Sequence, residues 1–469
     1  MAADVVIVGA GFAGLVAGVR AAELGLNAMV LDKGSNADYP CNSRYSGGNV
    51  HIGSQDMTQD PAQLLEHVND ITNGFIDPQT ATALVASSKR ALEWIRGHGA
   101  KLLRVGSGRT SRWVMAPPRQ AKPGLQWEGR GPDNLLRSLT KALTDGGGKI
   151  VLNAKATELA MANGRCIGIH VEENGASRLI EAAAVVLADG GFQSDLAQVK
   201  KYISRSPERL LQRGAANGAG DGLRMCENIG ARLAGMEWFY GHPLSRDAFT
   251  NELLTPHPYL DCLAFSGIVV NAQGKRFIDE GLGGVWLANN LARLDDPLEA
   301  MVIFDEDIWT GPGANLSSPP APNPSVRDAG GTIHSAHSIP ELARLAGVPT
   351  EALATTLAAY NEAVARGTCE GLTPARSTKR NKAHPILKAP FHAAPICAGI
   401  TYTMGGPAVD SDGRVQHQDG HAIENLFAIG SCAGGLEGGE RIGYFGGIAK
   451  AIILGLHCAE RIARDKQGK

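Results

Sequence analysis

Apolar and polar positions along the chain follow two different periods, and the change of period marks out the elements. Asp4-Val5-Val6-Ile7-Val8 is a β-branched run ending in glycines. From Ala13 to Leu24 the residues Leu15, Val19 and Ala22 share one helical face, and strand character resumes from Ala28 to Leu31. This predicts a βαβ unit. Asp60-Pro61 and Asp77-Pro78 each set an N-cap acid before a first-turn proline, predicting helices that run toward Gly74 and Gly97. Between Lys149 and Ala188 short alternating strands are punctuated by Asn163-Gly164 and Asn174-Gly175, the pairs that suit two-residue hairpin turns. A β-meander inserted in the first unit follows from them. After Gly235 the pattern loosens, and Gly311 to Pro324 gathers glycine and proline into a stretch without regular structure, a connection or a lid. Thr350 to Gly367 reads as a helix with Leu353, Leu357, Tyr360 and Val364 on one side, and the tail from Asn425 returns to strand, glycine loop and helix. No repeat or low-complexity tract interrupts this order.

A chain of 469 residues is too long for one simple core, so two lobes or one domain with a large insertion are expected. The formal charge is −2, with Lys and Arg scattered, which leaves no electrostatic ground for a nucleic-acid partner. The eight cysteines (41, 166, 226, 262, 369, 397, 432, 458) form no C-x-x-C pair and no haem-attachment spacing, so they read as free thiols in a reducing compartment; no metal site is expected. No secretory leader is visible ahead of Asp4, and apolar stretches such as Ala449 to Leu456 fall short of the roughly 20 residues that cross a bilayer. The expectation is a soluble cytoplasmic protein without a membrane span.

The opening glycines carry the first chemistry. In Gly9-x-Gly11-x-x-Gly14 the first glycine makes the tight turn, the second lets backbone approach a pyrophosphate, and the third lets helix pack on strand. The helix N-terminus adds free N–H groups and a positive dipole. Asp32, at the end of the second strand, stands where a carboxylate accepts ribose hydroxyls. The loop by itself does not separate NAD from FAD. Asn42-Ser43-Arg44-Tyr45-Ser46-Gly47-Gly48 does, because its small residues could bring backbone donors against a flavin ring.

On these segments the chain resembles the fumarate reductase and succinate dehydrogenase flavoprotein superfamily, in its soluble tricarballylate dehydrogenase-like and 3-ketosteroid Δ1-dehydrogenase-like branch. Further residues that carry the likeness are Val185 to Phe192, Gly220-Asp221-Gly222, Met236 to Pro243, Gly274 to Glu280, Tyr360-Asn361, Thr403 to Gly406 and Gly430 through Gly447. The resemblance implies an α/β fold: a Rossmann-type FAD-binding domain with an inserted β-meander, plus an inserted α+β cap. The FAD domain takes 1–235 and 403–469, and the cap takes 236–402. The FAD shell expected is Gly9, Gly11, Gly14, Asp32, Lys33, Asn42, Ser43, Ser46, Gly47, Gly48, Ala154, Ala188, Gly190, Asp221, Gly430, Ser431, Gly447 and Ile448. Position 42 resembles the flavin-linked histidine site of membrane-bound relatives but holds Asn, so FAD is expected to be non-covalent. Ser431 stands where the family often has a glutamate toward the ribose.

The family chemistry passes hydride between flavin N5 and a carbon β to an electron-withdrawing group, while an acid or base handles the α proton. By resemblance, Arg441 binds a substrate carboxylate and His242 hydrogen-bonds it. The other readings are a salt bridge from Arg441 to Glu437 or Glu440, and an ordinary buried histidine. His257 is read as structural. The family's proton-donor arginine would fall at or near Trp309, and the relay after Glu280 is replaced by Gly-Leu-Gly-Gly. Tyr402 replaces a carboxylate-clamp histidine, and it or Tyr444 is the candidate to move the proton. The leading expectation is an FAD-dependent CH–CH dehydrogenase acting on a small carboxylate- or carbonyl-activated substrate, a cyclic keto acid included, with an unidentified electron acceptor or donor. The alternatives are an enoate reductase running the reverse reaction and a non-catalytic flavoprotein.

Overall fold

The computed structural model describes residues 3–108, 111–120, 122–173, 175–314 and 325–468. Strand β1 (Ala3–Val8) is followed by α1 (Phe12–Glu23) and β2 (Ala28–Leu31), and the two strands pair in parallel with Val6 opposite Met29. Strand β3 (Lys149–Val151) adds to the far side of β2. β1 is covered on both faces, which is why its residues are apolar without alternation. The meander is β4 (Ala154–Ala162), β5 (Arg165–Glu173) and β6 (Ala176–Leu187), and the end of β6 runs parallel beside β1. Asn163 and Gly164 both take positive φ, as a tight hairpin turn matched to strand twist requires; Asn174 lies outside the described residues. Asp60 accepts hydrogen bonds from the Ala62 and Gln63 amides, and Asp77 accepts one from Thr80, so both expected N-caps form.

The second lobe is built on a six-stranded sheet of short strands around one long one. Its members include β7 (Phe239–Ser245), β8 (Ile268–Val270), β9 (Met301–Asp305) and the thirteen-residue β10 (Phe391–Thr403). Helix α2 (Thr350–Arg366) buries Leu353, Leu357 and Tyr360 beside it, with Val364 half-buried. This lobe's core gathers residues from Phe192 to Ile400, so the packing changes hands ahead of residue 236. Of the glycine- and proline-rich stretch, Pro312–Ala314 forms one 3-10 turn and 315–324 lie outside the described residues.

The chain then returns to the first sheet. Strand β11 (Ala422–Ala428) pairs in parallel with β6, and α3 (Gly447–Gln467) packs along α1. Gly455 makes that approach possible, since a Cβ there would stand 2.9 Å from the Ala13 carbonyl oxygen and from Val16. No helix among the described residues is long and apolar enough to cross a membrane, and all eight cysteines are free thiols.

Candidate functional site

A deep cavity lies between the lobes, lined by residues from Val8 to Ala451. Every residue of the expected cofactor shell lines it except Gly14. Gly14 packs helix on loop, for a Cβ there would sit 1.9 Å from the Gly9 carbonyl oxygen. Gly9 has φ of +100°, and a Cβ on it would meet the Ala188 carbonyl oxygen at 2.5 Å. Ser43 Oγ accepts the Phe12 amide at 2.9 Å, tying the small-residue segment to the start of α1. Buried Asp32 accepts the Ala10 amide at 2.9 Å and the Gly34 amide at 2.8 Å, so the carboxylate also shapes the loop it serves. Lys33 and Asp221 form an ion pair at 2.6 Å across the mouth. The Asn42 amide is taken at both ends, donating to the Thr401 carbonyl at 2.8 Å and accepting from the Ala215 amide at 2.6 Å.

At the other end of the cavity stand Tyr240, His242, His257, Tyr259, Tyr402, Tyr444, His51 and Arg213. A β-bulge between Tyr240 and Gly241 breaks the β7–β10 register there and re-aims the side chains. His242 Nδ1 lies 2.8 Å from Asp261 Oδ1, and its Nε2 lies 2.9 Å from the Tyr240 hydroxyl. The carboxylate makes Nδ1 the protonated nitrogen, which leaves Nε2 to accept from Tyr240. Tyr240 stacks on Tyr444 with ring centroids 4.1 Å apart. The Gly447 amide donates to the Tyr444 hydroxyl at 3.1 Å. Burial first, and Tyr444 second, push the Tyr240 hydroxyl well above its ordinary pKa. Burial and then Glu437 do the same to Tyr402.

Residues 4–444 match the family described as "FAD binding domain". The chain belongs to that family. It is 27% identical to the NADH:fumarate oxidoreductase of Klebsiella pneumoniae over 99% of its own length and spans 48% of that protein. It is 26% identical to a 3-oxosteroid 1-dehydrogenase of Mycolicibacterium smegmatis, covering 98% of this chain and 97% of the relative. The crystal structure of the 3-ketosteroid delta1-dehydrogenase of Sterolibacterium denitrificans superposes with a TM-score of 0.76 at 23% identity, covering 99% of each chain. The fold is thus the mixed α/β flavoprotein fold with a cap, and the cofactor is FAD.

The residues present fit FAD. The glycines leave backbone exposed where a side chain would fill the cradle, α1 points its N-terminus at the loop, and Asp32 stands beside it.

One expectation needs correction. Arg441 stands outside the cavity, 52% exposed, with its guanidinium on the carboxylate and carbonyl of Asp70 at 3.0 Å. The reason is the turn around it: Gly438 and Gly439 take positive φ, Ile442 is held at φ of 50°, and Gly438 bridges back to Gly443. That turn sends Arg441 outward and Glu437 inward. His257, read from the sequence as structural, also lines the cavity.

Tyr402 lines the cavity too, yet its hydroxyl donates to Glu437, which lies fully buried against Lys450 at 2.6 Å. Sequence reasoning missed Asp261, Tyr240 and Arg213. The Tyr-Gly-His spacing, i and i+2 on one strand face, was a usable signal for Tyr240. Nothing local marked the other two. Among the described residues one cluster could hold a metal ion, His417, Asp419 and His421, and it does not line the cavity.

Proposed function

We propose that the protein is an FAD-dependent dehydrogenase that removes hydrogen from a CH–CH pair next to a carbonyl or carboxylate in a small molecule. The observation that carries this reading is the hydrogen-bonded line Asp261–His242–Tyr240, which opens into the same cavity as the cofactor cradle. Bound FAD supplies a hydride acceptor. The protein must then remove a proton from the neighbouring carbon. Tyr240 Oη takes it as its own proton passes to His242 Nε2, and the Asp261 carboxylate stabilises the imidazolium that results. The Tyr444 hydroxyl, oriented by the Gly447 amide, donates a hydrogen bond to the carbonyl oxygen and acidifies that proton. The substrate leaves as the alkene, and an external electron acceptor collects the two electrons. Asn42, with both amide ends engaged, supports non-covalent FAD. Eight free thiols support a reducing, cytoplasmic setting.

The relatives named as fumarate and acrylate oxidoreductases favour a second reading, enoate reduction, in which the same line donates the proton. Anaerobic mixing separates the two. Oxidised enzyme that loses its yellow colour with saturated oxo acids supports dehydrogenation; reduced enzyme that regains it only with enoates supports reduction. Tyr240→Phe is expected to keep FAD and slow the hydrogen-transfer step by about 100-fold. Asp261→Asn slows it too, with recovery as pH rises, because hydroxide then replaces the imidazole. A loss unchanged across pH would make Asp261 merely structural, and an unaltered rate in Tyr240→Phe would remove the relay.

A further inference from the structure

Beside the His242 line, three arginines and a histidine crowd into one region without carboxylate salt-bridge partners among the described residues. Arg213 and His257 line the cavity, and Arg119 and Arg130 are near enough to act electrostatically on His257. Arg119, Arg130 and His257 are buried, at 9%, 5% and 8% exposure. Among the described residues none of the three arginines forms an ion pair with a carboxylate. Asp261 is the carboxylate that acts on Arg213, and it is already engaged by His242.

Their hydrogen bonds go to neutral groups instead. Arg213 donates to Thr401 Oγ1 at 2.5 Å and to the Pro256 carbonyl at 3.2 Å. Arg119 donates to the carbonyls of Lys122 and Gly124, and Arg130 to those of Gln126 and Ser46. Among the described residues several buried nitrogens still have no partner: Arg213 Nε, Arg119 Nε and Nη1, Arg130 Nε and His257 Nδ1.

Cations buried together cost free energy unless an anion joins them. Burial, and for Arg119 also the neighbouring Arg130, pulls Arg119 and Arg130 down to about 10. The fold also makes room for this arrangement: a Cβ at Gly399 would stand 2.9 Å from the Arg213 side chain. The cluster connects directly to the relay, because Arg213 lies 5.6 Å over the Tyr259 ring and that ring stacks on His242 at 4.4 Å.

We propose that Arg213 and His257, which line the cavity, form an oxyanion subsite that grips a carboxylate of the substrate in place of Arg441, with Arg119 and Arg130 adding positive charge from behind them. Resting on the dehydrogenase reading, this narrows the substrate to acids: an oxo acid or dicarboxylate whose charged end is about two stacked rings from the Tyr240 line, not a neutral ketone. A single carboxylate satisfies Arg213 Nε and one more donor, and Tyr259 fills the apolar wall between the two ends.

The test is equilibrium binding to oxidised, FAD-loaded enzyme, read by flavin difference spectra and calorimetry. The probes are levulinate and succinate, their methyl esters, and inorganic phosphate. The acids are expected to bind at least about tenfold more tightly than the esters, since the esters leave buried donors unpaired. Arg213→Gln weakens acid binding by about 10- to 100-fold and Arg119→Gln by less, through lost charge behind the site, while ester binding falls far less in both; Arg441→Gln changes neither. Should a glutamine variant lose its FAD, Arg213→Lys serves, and it too is expected to lose affinity for the acids because it has no planar fork. Phosphate, an oxyanion too, is expected to compete with the acids and not with the esters; esters binding as well as acids, acids binding equally to the variants, or no acid binding at all would each overturn the subsite. No turnover enters the measurement, so acids that bind but never reduce the flavin would defeat the dehydrogenase reading and leave the subsite standing.

Discussion

Glu437 receives hydrogen bonds from the amides of Phe445 and Gly446 and from Tyr402, and it pairs with Lys450 where neither side chain is exposed. Lys450→Met would strand a buried carboxylate, and chemical denaturation is expected to show a loss of about 3–5 kcal/mol; adding Glu437→Leu should recover much of it. Because Tyr402 is committed to this pair and burial holds its proton, Tyr402→Phe is expected to keep hydrogen transfer within about tenfold of wild type, far above Tyr240→Phe. His51 gives a pH prediction. Burial and Arg112 depress its pKa to about 4. Between about pH 6.5 and 4 the unfolded chain takes up a proton that folded His51 refuses, so its contribution is present at neutral pH and is lost as pH falls through that window. Melting temperatures of wild type and His51→Gln should converge on acidification. At this scale His242 was legible, since its Met-Glu-aromatic context is local. Asp261 and Arg213 were not, because each reaches the site only through folds of chain that no short window contains.

Among the elements, the opening βαβ unit was readable because its strands, glycine turn and helix satisfy local rules, and so was the later helix Pro61–Thr72, which Asp60 caps. Asp60→Ala should accordingly cost about 1 kcal/mol in a melt, the usual worth of an N-cap. The long strand β10 was not readable. Pro395 interrupts it opposite Met301, and Gly399 interrupts it opposite His242. A pattern of alternating residues does not survive such insertions, although the strand tolerates them where neighbours on both sides hold it. The bulge at Tyr240 rests on the same local exception: a Cβ at Gly241 would lie 2.2 Å from the Gly399 carbonyl oxygen. Gly241→Ala is therefore expected to destabilise the second lobe by about 1–3 kcal/mol and to blunt hydrogen transfer, seen as a lower denaturant midpoint and a slower flavin bleach.

For the molecule as a whole, the cradle was foreseeable from the glycine loop and the cap from the family resemblance, whereas the cavity's charge was not, since scattered arginines meet only in three dimensions. The walls of the FAD site come from Val8 at one extreme and Ala451 at the other. Synthesis on the ribosome proceeds in one direction, so the glycine loop emerges more than four hundred residues before its closing helix α3. The complete grip on the cofactor therefore waits for α3, and until that helix emerges the half-built cradle must stay folded or unaggregated without the full help of its ligand.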